Sequence, residues 1–172
     1  MTDTAHIKTA FERNVQVLTL RPAIGQKTYV TTARIRNGLT CEIEDGPWKL
    51  TADLTKKSGG SEAGPTPGTF GRAALGSCLA MSYVLWAAAL GVPLIEVEVE
   101  VQADADARGM YGIADVPAGY TEVRYRVCIA SSAPVEAVMR VLDTAEAHSP
   151  YVDVFRREQC LRREVHITGL EG

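Results

Sequence analysis

Ala73-Ala74-Leu75-Gly76-Ser77-Cys78-Leu79-Ala80-Met81 begins an uncharged stretch that runs to Ile95. Just upstream, Thr66 can cap a helix whose first residue is Pro67, a position where the missing proline N–H costs nothing. Gly91-Val92-Pro93 supplies the stop. The spacing therefore predicts a helix from Pro67 to about Leu90 that is apolar on every side, as a core or subunit-interface helix is. The stretch is long enough to cross a bilayer. Gly76, Ser77, Ser82, Gly91 and Pro93 interrupt it, however, and neither a Leu/Ile/Phe-rich block nor a flanking basic cluster accompanies it. No membrane span is expected. Cys78 lies mid-helix, where a thiol is by default an inert small hydrophobe, so any chemistry depends on what the rest of the chain brings beside it.

Upstream the pattern is β. Residues 29–36 and 40–43 flank Asn37-Gly38, a hairpin signal because both residues tolerate positive φ. Glu44-Asp45-Gly46-Pro47 makes a second turn, and residues 48–54 supply a third strand, giving a meander. Residues 56–67, rich in Gly, Ser and Pro, read as a loop. Before all of these, Ile7, Phe11, Val15 and Leu18 recur at helical spacing until Arg21-Pro22. They predict an N-terminal helical arm over residues 1–25, with the main domain over 26–172.

Downstream, Val97, Val99 and Val101 alternate with Glu96, Glu98 and Glu100, and Val123, Tyr125, Val127 and Ile129 alternate with Glu122, Arg124, Arg126 and Cys128. Both segments read as strands with one wet face. Pro134 opens a helix carrying Val135, Val138, Met139, Leu142 and Ala145 on one side, ending near His148-Ser149-Pro150. A last strand is expected over 163–168. Strands, a buried helix, then strands again give an α+β order rather than repeated βαβ units.

Composition narrows the function. A chain of 172 residues, 46% hydrophobic and 23% charged, fits one domain with a sizeable core. A net charge of −3 and no Lys/Arg stripe argue against a nucleic-acid surface. Arg156-Arg157 and Arg162-Arg163 are each followed by glutamate and read as a solvated face. Cys41, Cys78, Cys128 and Cys160 lack metal-ligand spacing, and the three histidines are scattered, so neither a metal nor a cofactor is expected. No basic-then-apolar signal segment opens the chain, and a reducing, cytoplasmic setting is expected. Trp48 and Trp86 read as core or interface residues. His148 beside Ser149 lacks the glycines of a nucleophile elbow and reads as a helix-ending turn.

Thr66-Pro67, the 73–81 stretch, the Val-rich strand after it, Arg36-Asn37-Gly38, Asp45-Gly46-Pro47 and Ala147-His148-Ser149-Pro150 together resemble the OsmC/Ohr family, from about Thr28 onward. The resemblance implies an OsmC-like fold: an N-terminal β-meander, a long buried central helix, further strands and a second helix, assembled as an intertwined homodimer. It also implies thiol-dependent reduction of organic hydroperoxides, as in protection against oxidative stress. Cys78 would be the nucleophile. Arg36 matches the position of the cation that favours its thiolate, with Arg34, on the same strand face, as the fallback. The plainer reading of Arg36 is an exposed charge beside a turn.

Two positions depart from the family's pattern. Gly68 stands where a glutamate usually orients the arginine, and Ser149 stands where a second cysteine usually resolves the oxidised thiol. Resolution then falls to an external thiol, to Cys41 or Cys160 of this chain, or does not occur. The competing expectation is a catalytically degenerate protein that holds a small apolar ligand at the dimer interface.

Overall fold

A computed structural model describes residues 4–169; residues 1–3 and 170–172, the outer ends of the expected arm and domain, lie outside the described residues. Along the chain come α1 (Thr4–Leu20), a 3-10 turn (Pro22–Gly25), β1 (Thr32–Ile35), β2 (Cys41–Asp45), β3 (Trp48–Ala52), α2 (Pro67–Leu90), β4 (Glu96–Ala105), α3 (Ala107–Met110), β5 (Tyr120–Ala130), α4 (Val135–Ala147) and α5 (Pro150–Arg156). The mixed α+β order matches the sequence reading.

The ends of α2 are those its sequence encodes. Thr66 Oγ1 accepts the N–H of Thr69 at 3.3 Å, and Gly91 closes the helix in the left-handed conformation at φ +69°. One side of α2 lies on the ribbon of β4 and β5, whose register sets Val97 opposite Ile129, Val99 opposite Val127 and Val101 opposite Tyr125. Gly76 permits this close approach: a Cβ there would stand 3.2 Å from Val101 Cγ2. Leu75, Leu79 and Tyr83 of α2, with Ala145 of α4 and Val152 of α5, form the buried core. Each fully buried Leu there contributes about 1.5–3 kcal/mol of apolar transfer. Composition and length alone would let Pro67–Leu90 cross a membrane. Its packing on β4, α4, α1 and α5 accounts for the apolar character as that of a central helix.

The wet face of the ribbon is charge-matched. Arg126 Nη2 lies 2.6 Å from Glu100 Oε2, and Arg124 pairs with Asp104 and Glu122. The arm folds back on the body: Phe11 of α1 meets Trp86 of α2 edge-on, at 5.0 Å between ring centroids.

Antiparallel β1, β2 and β3 form a separate three-stranded meander. Gly46-Pro47 closes the second hairpin, with Asp45 opposite Trp48. The first hairpin needs five loop residues, 36–40, because Ile35 pairs with Cys41. The 53–66 connection to α2 is anchored by Asp53, which is 2% exposed. Its carboxylate accepts N–H bonds from Leu54, Ser61 and Ala63 at 2.7–3.2 Å and the Thr40 hydroxyl at 3.0 Å. Burial pushes its pKa upward, but these hydrogen bonds together outweigh that and hold it below the ordinary 3.8.

One expectation needs correction. Residues 163–168 form no strand: Val165 and Ile167 are exposed, and no strand among the described residues pairs with them. Trp48, expected in the core or at an interface, lies outside the core of the single chain, 70% exposed on β3.

Candidate thiol site

Cys78 is half-buried on α2. Its Sγ lies 3.4 Å from the Oγ of Ser149, a residue 71 positions away and 2% exposed. Ser149 occupies the N-cap of α5, with Pro150 at the first helical position, yet its hydroxyl makes no capping bond to the helix. A serine at such a position ordinarily bonds a free N–H of the first turn. Here the hydroxyl is turned to the thiol instead. The position expected to hold a resolving cysteine therefore does meet Cys78, with oxygen in place of sulfur.

Along α2, Pro67, Gly71 and Ala74 share a face, and Cys78 follows one turn later on the same row. The first three line an apolar cleft of about 760 Å³ between α2 and the meander. Ile35, Ile43, Leu50 and Phe70 supply much of its wall, and Tyr151 of α5 closes one side. Beyond Cys78 the row continues to Met81 and Leu85, which are exposed. The α2 wall of the cleft thus ends at Ala74, one turn before the thiol on the same row.

Arg36 is not brought to Cys78 within the chain. Its guanidinium pairs with Glu42 across the first hairpin, and both side chains are exposed. Arg34 stands opposite Glu42 in the β1–β2 register. Cys41 is half-buried and lines the cleft, whereas Cys160 and Cys128 are exposed. The only polar partner of the Cys78 sulfur among the described residues is Ser149. The Gly68 carbonyl oxygen accepts a hydrogen bond from the Tyr120 hydroxyl at 2.9 Å. A side chain at this position would begin 3.4 Å from Arg72 Nη1. Sequence reasoning passed over Arg72, the single charged residue of α2, and its isolation in an apolar helix was the available signal.

Neighbouring polar groups are satisfied without engaging the thiol. Tyr83 and Tyr125 donate to the two carboxylate oxygens of Glu146 at 2.9 and 2.8 Å. Burial, then the Glu146 carboxylate, pushes both tyrosines upward from their ordinary values. His148 Nδ1 lies 2.8 Å from Thr144 O, and its ring packs on Trp86 at 5.0 Å. It makes no hydrogen bond to Ser149, so no serine–histidine pair exists there. No cluster of metal-ligating side chains occurs among the described residues.

The arrangement invites comparison with known proteins. The family model for OsmC-like proteins matches residues 59–161, which include α2, both long strands, α4 and α5. No curated protein matches the sequence closely. Among solved structures, an OsmC-like protein from Mycoplasma pneumoniae superposes with a TM-score of 0.65 at 17% identity, covering 76% of this chain and 89% of that one. A Legionella pneumophila organic hydroperoxide resistance protein OsmC superposes at 0.55 and 16% identity, covering 76% and 90%. A Vibrio cholerae protein described as a putative organic hydroperoxide resistance protein, with captopril in one active site, superposes at 0.52 and 19%, covering 76% and 87%.

Proposed function

The chain belongs to the OsmC-like protein family, and from that premise we propose that it reduces small organic hydroperoxides through Cys78 with an external thiol as reductant. The observation that carries this reading is the Cys78–Ser149 contact, one helical turn along α2 from the last α2 residue that lines the apolar cleft. The cleft suits the organic part of a hydroperoxide. The thiolate of Cys78 attacks one peroxide oxygen, the O–O bond breaks, and the departing alkoxide takes up a proton to leave as alcohol. Cys78 becomes a sulfenic acid, to which the Ser149 hydroxyl can donate but with which it cannot form a disulfide. An external thiol then displaces water to give a mixed disulfide. A second thiol releases its disulfide and restores Cys78.

A homodimer completes this reading. The exposed stripe of α2 and the meander's apolar face leave a surface that a second copy would cover, and Arg36 of the partner subunit would then stand as the cation beside the thiol. Helix α1 and the 3-10 turn after it, from Thr4 to Gly25, would then be an arm outside the family domain. The second reading, an apolar-ligand binder with an inert Cys78, is favoured by one observation: Gly68 and Ser149 both lack the functional groups usual at their positions.

The two separate on one experiment. The protein is exposed to cumene hydroperoxide with dimedone as sulfenic-acid trap, then assayed for dithiothreitol-dependent peroxide consumption. The parent should label at Cys78 and turn over, while Cys78→Ser should lose at least about a hundredfold of activity, as expected on removing a covalent nucleophile. Ser149→Cys should replace the dimedone adduct by an intramolecular disulfide. Labelling of Cys78 no faster than of free cysteine would leave the binder as the surviving reading.

A further inference from the structure

Ser149, at the corner between α4 and α5, is held through its backbone on both sides. Its N–H donates to Glu146 O at 3.3 Å, and its carbonyl accepts the N–H of Asp153 at 3.1 Å. Pro150 fixes its own φ and holds the residue before it extended, as Ser149 is at φ −82° and ψ 118°. Three residues on, Val152 is locked into the core with Leu75 and Leu79 of α2. The corner thus carries the Ser149 hydroxyl to α2 in a fixed position. The residue is 2% exposed, and the hydrogen-bonding partner of its side chain is Cys78 Sγ.

The direction of that bond depends on the charge of the sulfur. A thiol is a weak donor and a weak acceptor, so while Cys78 is protonated either group can donate. Ionisation removes the choice. A thiolate only accepts, and the buried Ser149 proton, with no carbonyl or water-exposed side to turn to, then points at sulfur. A hydrogen bond to an ionised acceptor is roughly twice as strong as one between neutral groups. The contact therefore favours the charged sulfur.

Charged groups on the elements packed against α2 are engaged elsewhere. On α4, Glu146 accepts from Tyr83 and Tyr125, and His148 Nδ1 faces Thr144 O. Asp153 of α5 holds Arg157, and Glu100 of β4 holds Arg126. Lys8 and Glu12 of α1 face one another, and Arg72 of α2 meets Tyr120.

We propose that Ser149 is a positioning residue for Cys78: its hydroxyl donates to the thiolate and holds the sulfur charged and aimed before peroxide arrives. The inference rests on Cys78 being the nucleophile of the proposed reaction. The serine proton is shared rather than transferred, so no bond to Ser149 forms or breaks, and the alkoxide takes its proton from solvent. The position that would carry a second thiol thus serves to activate the first.

The test is alkylation of Cys78 by iodoacetamide in the full chain, followed by peptide mass so that Cys41, Cys128 and Cys160 are counted apart. Removing one charge-assisted hydrogen bond by Ser149→Ala should cut the thiolate population at about pH 7 some ten-fold. Each remaining thiolate, being more basic, should react about three-fold faster. Cys78 in Ser149→Ala should therefore alkylate about three-fold slower than the parent at about pH 7, and up to about three-fold faster at about pH 10, above the ordinary thiol range. A change of the same sign at both values would be one of access or folding and would overturn the inference. So would unchanged rates; in a parent that consumes cumene hydroperoxide, that outcome leaves the proposed reaction standing. The crossover in a parent that consumes no peroxide would support the donor role and sink the peroxide reduction instead.

Discussion

The β4–β5 ribbon and the β1–β3 meander are written in the same alternating code, but they end in different environments. In the ribbon, Val97, Val99, Val101, Val123, Tyr125 and Val127 pack against Leu75, Leu79 and Tyr83 of α2. In the meander, Ile35 and Leu50 are 54% and 46% exposed, and the strands touch chiefly one another. The ribbon is stabilised by its own chain. A bare apolar sheet face of this kind calls for a partner surface, and the open stripe of α2 beside it has the same need.

That contrast can be broken by mutation. The largest effect is expected from Leu79→Ala in the fully buried core: a loss of about 2–5 kcal/mol in denaturant unfolding, independent of protein concentration. Leu50→Glu in the meander should instead abolish self-association in sedimentation, while altering the stability of the dilute monomer by about 0.5 kcal/mol or less. If Leu50→Glu unfolds the dilute chain, the meander is not a separate docking face and the contrast fails.

Next in size is the anchor between the two regions. Because the folded-state pKa of Asp53 is lowered, its contribution is complete above the ordinary value of 3.8 and disappears as pH falls through the lower folded value. Amide exchange in residues 54–63 should accelerate over that acid range while the ribbon stays protected, and Asp53→Asn should remove the pH dependence. The smallest effect belongs to Thr66→Ala, which should cost about 1 kcal/mol through loss of the α2 cap. A change near zero would mean that tertiary packing alone sets the start of the helix.

How much of this the sequence carried depends on the range of the interaction concerned. Thr66, Pro67 and Gly91 act within a few residues of themselves, and α2 has the predicted limits. The alternation of β4 and β5 is equally local and gave both strands. The 163–168 segment has the same alternation but pairs with no strand among the described residues, and alternation alone does not make a strand. Cys78 was recognisable from its setting, whereas the turning of the Ser149 hydroxyl away from its own helix is a tertiary choice. Arg36 shows the opposite limit: its position beside Asn37-Gly38 was legible, but within one chain its charge goes to Glu42. Arg72 escaped notice because its partner, the Tyr120 hydroxyl, lies 48 residues away, a contact that only the fold reveals.

The chain's two tryptophans stand on different elements, Trp48 in the meander and Trp86 on α2. Trp48 stands in the open on β3, and Trp86 is held between Phe11 of the arm and His148 at the end of α4. The molecule therefore carries its own pair of optical reporters. With Trp86 replaced by Phe, the emission maximum of Trp48 follows coverage of the meander. With Trp48 replaced, Trp86 follows docking of the arm, so the two events can be timed separately in one solution without an added dye.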